Sequence, residues 1–184
     1  MKEGIKELIE NMTPDEMKRR LAEYMAADLE LQPKVVAAEV RLSREEKAKC
    51  RYEVLLIDEE GGEITVNFKD RSSRLVYIYT LLHPNGYQRH QAAAGCYAKL
   101  CQLYTMLYFK DSKALKKSIG DDFDHFFSQA VAQSRIAIRR ASAQAEAFII
   151  DRPQLHFGRT LIPAASHRGS VIMDASLLNT ISNH

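Results

Sequence analysis

Tryptophan is absent from the 184 residues, cysteine appears three times and proline five. Cys50, Cys96 and Cys101 form an odd set without CxxC spacing, which argues against a disulfide framework and against a zinc ribbon. Cys96 and Cys101, five apart on a predicted helix, stand about 140° apart around it. With His83 and His90 nearby in sequence they still do not offer four converging tetrahedral ligands, so neither a metal nor a cofactor is expected. Five Pro and eight Gly are too few for a long disordered linker. No run approaches the ~20 apolar residues of a membrane helix, and the opening MKEGIKELIENM lacks the apolar segment and cleavage site of a signal peptide. A cytoplasmic location without membrane contact is expected. GxSxG, Walker and HExxH motifs are missing as well. The compact acid and His group Asp121, Asp122, Asp124 and His125 sits where a helix begins, and acids there favour the N-terminal dipole. The expectation is a protein that is not an enzyme.

What is present is enough for a core. A chain of this length buries about two-thirds of its unfolded surface, and 46% apolar with 27% charged residues is ordinary for a globular fold. The net charge of +2 hides an asymmetry. Residues 1–70 hold 12 basic and 17 acidic side chains (−5), residues 71–145 hold 11 and 4 (+7), and residues 146–184 hold 3 of each. A basic central segment is a footprint expected of a polyanion partner, and also of helices with solvated Lys and Arg faces.

Ile5, Leu8, Ile9 and Met12 fall at helical spacing, and Thr13-Pro14-Asp15-Glu16 then reads as a restart with Thr13 as cap and Glu16 completing a capping box. Met17, Leu21, Tyr24 and Met25 form the stripe of a second helix. These two helices, residues 1–32, predict an extension that dimerises the protein, takes a protein partner, or packs on the same chain. Residues 33–184 predict the main domain. From Pro33, short β-branched runs around Val35–Leu42, Tyr52–Ile57 and Ile64–Phe68 predict a three-stranded antiparallel meander, with Gly61-Gly62 in the second turn. VVAAEVRL, the first of these, is also compatible with a helix.

Three helical patterns follow. Ser72 or Ser73 caps RLVYIYTLLH, which His83-Pro84-Asn85-Gly86 stops. Residues 89–109 form the second, and a Lys-rich connection leads to the third, 122–142. There Phe123, Phe126, Phe127, Ala130, Val131, Ser134, Ile138 and Ala141 share one face, and Ser128, Gln129, Ala132, Arg135, Ile136, Arg139 and Arg140 the other. Strands around 147–150, 160–162 and 170–173 come last, with Asp174 capping a final turn. The fold class is α+β: an antiparallel meander, three helices and a C-terminal β-hairpin behind two N-terminal helices.

In its segments FKDRSSRLVYIYTLLHPNGY, QSRIAIRRA and FIIDRPQLHFGRTLIP, residues 35–163 resemble the winged-helix output domain of bacterial response regulators and related transcriptional activators. The connection before the third helix is longer than is usual in that family, and the tail from Ala164 is extra. The resemblance implies a homodimeric transcription-regulator-like protein that lays the 122–142 helix in the major groove of duplex DNA. Ser128, Gln129, Arg135 and Arg139, with Arg140 beside them, would then face base edges, and Ala132 thymine methyls. Lys113, Lys116 and Lys117 with the wing residues Arg152, Arg159 and Arg168 would contact phosphates. The competing expectation is a non-catalytic protein-interaction module built on the same body.

Overall fold

Strand β1 (Val35–Leu42) runs antiparallel to β2 (Tyr52–Asp58), and β2 to β3 (Glu63–Thr65), so the meander forms and VVAAEVRL is a strand. This is a computed structural model describing residues 12–44, 50–88, 93–109, 112–120, 122–151 and 159–181. The chain falls into two compact units, Met1–Pro33 and Lys34–His184. In the first, helix α1 (Pro14–Leu31) starts at Thr13, whose Oγ1 accepts from the Glu16 amide at 3.3 Å. Met17 and Leu21 of its stripe are exposed. The helix expected before it lies outside the described residues.

In the second unit the meander turns at Asp58. Gly61 adopts φ +83°, while Gly62 serves by its missing side chain: a Cβ there would collide with the Asp58 carboxylate, whose Oδ1 accepts from the Gly62 amide at 2.7 Å. Of the two glycines, Gly61 has positive φ and Gly62 does not. Helix α2 (Arg71–Leu81) is capped by Asp70, not by a serine; its Oδ1 accepts from the Ser73 amide at 2.7 Å, and the Ser73 hydroxyl donates to the Asp70 carbonyl. The stronger acceptor, a carboxylate one turn ahead, takes the cap.

After α2 come β4 (Tyr87–Gln88), α3 (Ala93–Tyr108), α4 (Lys113–Ile119) and α5 (Phe123–Ala141). The Lys-rich connection therefore itself contains a helix, and among the described residues four α-helices lie between the meander and the C-terminal strands where three were expected. Leu115 and Ile119, four apart, bury one side of α4 and leave its lysines outside. The strand expected at 147–150 is a 3-10 turn, Glu146–Phe148, closed by turn bonds such as the Phe148 amide to the Ala145 carbonyl.

The C-terminal hairpin is only partly as expected. Its tip lies outside the described residues, and the Asp151 amide donates to the Leu161 carbonyl at 2.8 Å across its base. Yet the ladder of β5 (Arg159–Thr160) is formed with β4, antiparallel. Gly86, at φ +69°, lets the chain pass close to Arg159 and Leu161 where a Cβ would press on the Thr160 carbonyl. Strand β6 (Val171–Met173) leaves for the other sheet and pairs parallel with β1, giving the order β3-β2-β1-β6. Asp174 then accepts from the Ser176 amide at the start of α6 (Ala175–Ile181). The result is a mixed α/β fold with six helices and a four-stranded mixed sheet among the described residues.

One core joins the layers. Ala38, Val40, Tyr52, Val54 and Leu56 from the sheet meet the buried side of α2, against which α3 and α5 pack. Tyr77, buried in α2, donates to the Phe148 carbonyl at 3.0 Å and so fixes the exit of α5. Among the described residues no helix is long and apolar enough to cross a membrane.

Candidate nucleic-acid interface

Helix α5 is the most amphipathic element of the main unit. Asp122 caps it by accepting from the His125 amide at 2.8 Å. Phe126, Phe127, Ala130, Ser134, Ala137 and Ile138 are buried. The Phe127 ring packs 6.0 Å from that of Tyr87 on β4 and 5.9 Å from that of Phe123 one turn earlier on the same helix, and α5 also packs against α2. The opposite side is open: Ser128, Gln129, Ala132, Ile136, Arg139 and Arg140 are exposed. From His125 to Ala141 the helix carries three arginines and no acid.

Its arginines are not equivalent. Arg135 is half-buried, and its Nε donates to the Ile150 carbonyl at 2.7 Å, so it ties α5 to the chain that follows it. Arg139 pairs with Glu146 at 3.0 Å, and this partner raises its pKa above the usual guanidinium value. Arg140 is exposed and pairs with no carboxylate of a described residue. The two arginines nearest the middle of the expected reading face are thus engaged within the protein, whereas Arg140 at its end is available.

Lys113, Lys116 and Lys117 are exposed on α4, the helix that leads into α5. Arg159 is exposed on β5 and donates to the Asn85 carbonyl at 3.2 Å, bracing the β4–β5 ladder. Arg168 is exposed in the turn before β6. Arg152 lies outside the described residues.

A cleft of about 430 Å³ runs along α5, lined by Gln129 and Gln133 from that helix, Ser118 from α4, and Lys69, Asp70 and Ser72 at the start of α2. Of the lining residues, Gln129 and Ala132 were expected at the interface from the sequence, and Ser72 only as a helix cap. The missed cation of this lining is Lys69, which lies just before α2 and falls on no amphipathic face of an element. Such a lining of amide, hydroxyl and ammonium groups can hydrogen-bond both base edges and phosphates.

Cys50 and Cys96 are buried and Cys101 half-buried, all three as free thiols. Among the described residues no three His, Cys, Asp or Glu side chains gather into a metal-sized group.

No family model, curated protein or solved structure matches the chain significantly.

Proposed function

We propose that this chain is a winged-helix-like, non-catalytic protein that binds duplex DNA in the cytoplasm, with α5 entering the major groove. The observation that carries the proposal is the outer face of α5: polar and basic, without an acid beyond Asp124, and held on a buried apolar face. In this reading Ser128, Gln129 and Arg140 reach base edges and Ala132 meets thymine methyls, while Arg135 and Arg139 position the helix. Lys113, Lys116 and Lys117 supply phosphate contacts from α4, and Arg159 and Arg168 from beyond α5. The exposed Met17 and Leu21 of α1 support self-association as a homodimer or a protein partner, and deletion of residues 1–32 then lowers the mass per particle in light scattering.

The test is duplex binding by fluorescence anisotropy with Lys116→Glu, Lys117→Glu and Arg140→Glu combined. The triple variant is expected to lose at least tenfold in affinity, since each neutralised phosphate contributes to the electrostatic term. Equal affinity in variant and wild type contradicts the proposal. A second reading, a protein-interaction module on the same body, is favoured by one observation: Ile136, 41% exposed, puts an apolar side chain in the middle of the outer face of α5.

A further inference from the structure

A smaller concavity, of about 210 Å³, shares Lys69 and Asp70 with the cleft beside α5 and is closed by Arg71, Arg74, Phe68 and Tyr108. The start of β2, the first turn of α2 and the end of α3 meet there, with Cys50 buried among them. Each guanidinium lies over a ring. Arg71 sits 5.4 Å from the centre of Tyr108 and Arg74 5.6 Å from that of Phe68. Tyr108 is itself fixed, because its hydroxyl donates to the Arg71 carbonyl at 3.2 Å. Stacking of this kind engages the face of a guanidinium and leaves its edge for a planar or tetrahedral oxyanion; on Arg71 one edge donor, Nη1, reaches the Tyr104 hydroxyl at 3.4 Å, and the other N–H groups remain for a ligand.

Charge in this concavity is not balanced. Among the described residues no carboxylate pairs with Lys69, Arg71 or Arg74. Asp70 also lines it, but its Oδ1 is held by the Ser73 amide at the helix cap. Three cations against one acid leave +2, which matches a terminal phosphate of about −1.5 to −2 better than a carboxylate. The volume falls below the ~300–1,000 Å³ of pockets that enclose a drug-sized ligand. It admits a phosphate group and leaves the remainder of the ligand outside.

We propose that this concavity is a binding site for the terminal phosphate of a small phosphorylated ligand, with Arg71 and Arg74 as the oriented donors and Lys69 as a third cation. The site does not depend on the duplex-binding reading and is tested without DNA.

The probe is pyrophosphate, titrated into the full chain at 0.15 M NaCl and followed by calorimetry and thermal unfolding. Saturable binding with a rise in Tm is expected for the wild type. Arg71→Gln and Arg74→Gln each weaken binding at least tenfold, and Arg140→Gln on α5 leaves it unchanged. Arg74→Lys, which keeps the charge and the aliphatic stem, also weakens binding, because the fork of donors is lost; it covers the case in which a glutamine variant fails to fold. No saturable binding, or equal loss in the Arg74 and Arg140 variants, overturns the site. Duplex affinity measured on Arg74→Gln identifies the source of the phosphate. Affinity that is unchanged keeps the small ligand, and affinity that falls in parallel assigns the site to the DNA backbone and overturns the small-ligand proposal.

Discussion

On the outer face of the sheet Arg41 lies among three carboxylates, 2.7 Å from Glu63, 2.9 Å from Glu53 and 3.7 Å from Glu39. In the helical half, Arg71, Arg74, Arg140, Lys116 and Lys117 pair with no carboxylate of a described residue. The same residue types therefore serve different ends. The sheet's arginine is consumed in holding three strands in register, and Glu63 in turn is kept below the usual carboxylate range by its bond to Arg41. Residues 71–145 carry a net +7 in sequence, and among their described residues one cation, Arg139, is spent on an ion pair, with Glu146. A surplus of cations without internal partners is what a polyanion partner requires, whereas a neutralised cluster is what a scaffold requires.

The sharpest way to separate scaffold from surface is within α5 itself. Phe127, fully buried between Tyr87 and Phe123, is expected to cost about 3–5 kcal/mol as Phe127→Ala by chemical denaturation. Gln129→Ala, two residues on and exposed, is expected to stay within about 0.5 kcal/mol. Arg135→Ala comes next, at about 1–2 kcal/mol, because it strips the buried Ile150 carbonyl of a charged donor. A stability loss no larger than that of Arg140→Ala would return Arg135 to the solvated face. For the sheet, Arg41→Met is expected to lower stability, and the loss to shrink in high salt as the three carboxylates left behind are screened. A salt-independent loss would show that Arg41 acts through packing.

The smallest effect concerns pH. His83 ends α2 with its Nδ1 2.8 Å from the Tyr79 carbonyl and its ring stacked on Tyr79. Burial, and then the charge of Lys99, outweigh that carbonyl and hold its pKa below the ordinary imidazole value. As pH falls the unfolded chain takes the proton first, so stability is full above about 6.5 and declines below it until the lower folded-state pKa is passed. Thermal unfolding at pH 7 and pH 5 checks this. The drop in Tm is expected to diminish in His83→Gln, and a drop of the same size would assign it to other groups.

Much of this division was legible in the sequence where periodicity carries it. The meander announces itself by β-branched runs between turns, and α5 by an unbroken 3.6-residue stripe from Phe123 to Ile138. The pairings of the C-terminal strands were not legible, since β5 joins β4 across 70 residues and β6 joins β1 across 130, choices made by packing rather than by local pattern. Of the expected site, the exposure of Ser128, Gln129, Ala132 and Arg140 followed from the helical wheel. The engagement of Arg135 and Arg139 did not, because their partners Ile150 and Glu146 are brought back against α5 by the turn at Glu146–Phe148, which the local pattern did not show. Arg71 and Arg74 escaped notice because what marks them is the rings of Phe68 and Tyr108, brought together only by the fold.

Binding of the wild-type chain to a random-sequence duplex, measured across a salt series from about 0.02 to about 0.3 M (roughly a fourfold change in the screening length), tests the central claim most directly. If the helical half meets a polyanion, the logarithm of the affinity falls linearly with the logarithm of salt concentration, with a slope of about −0.9 for each phosphate neutralised. Absence of binding even at the lowest salt would contradict it, and would leave the open face of α5 to a protein partner.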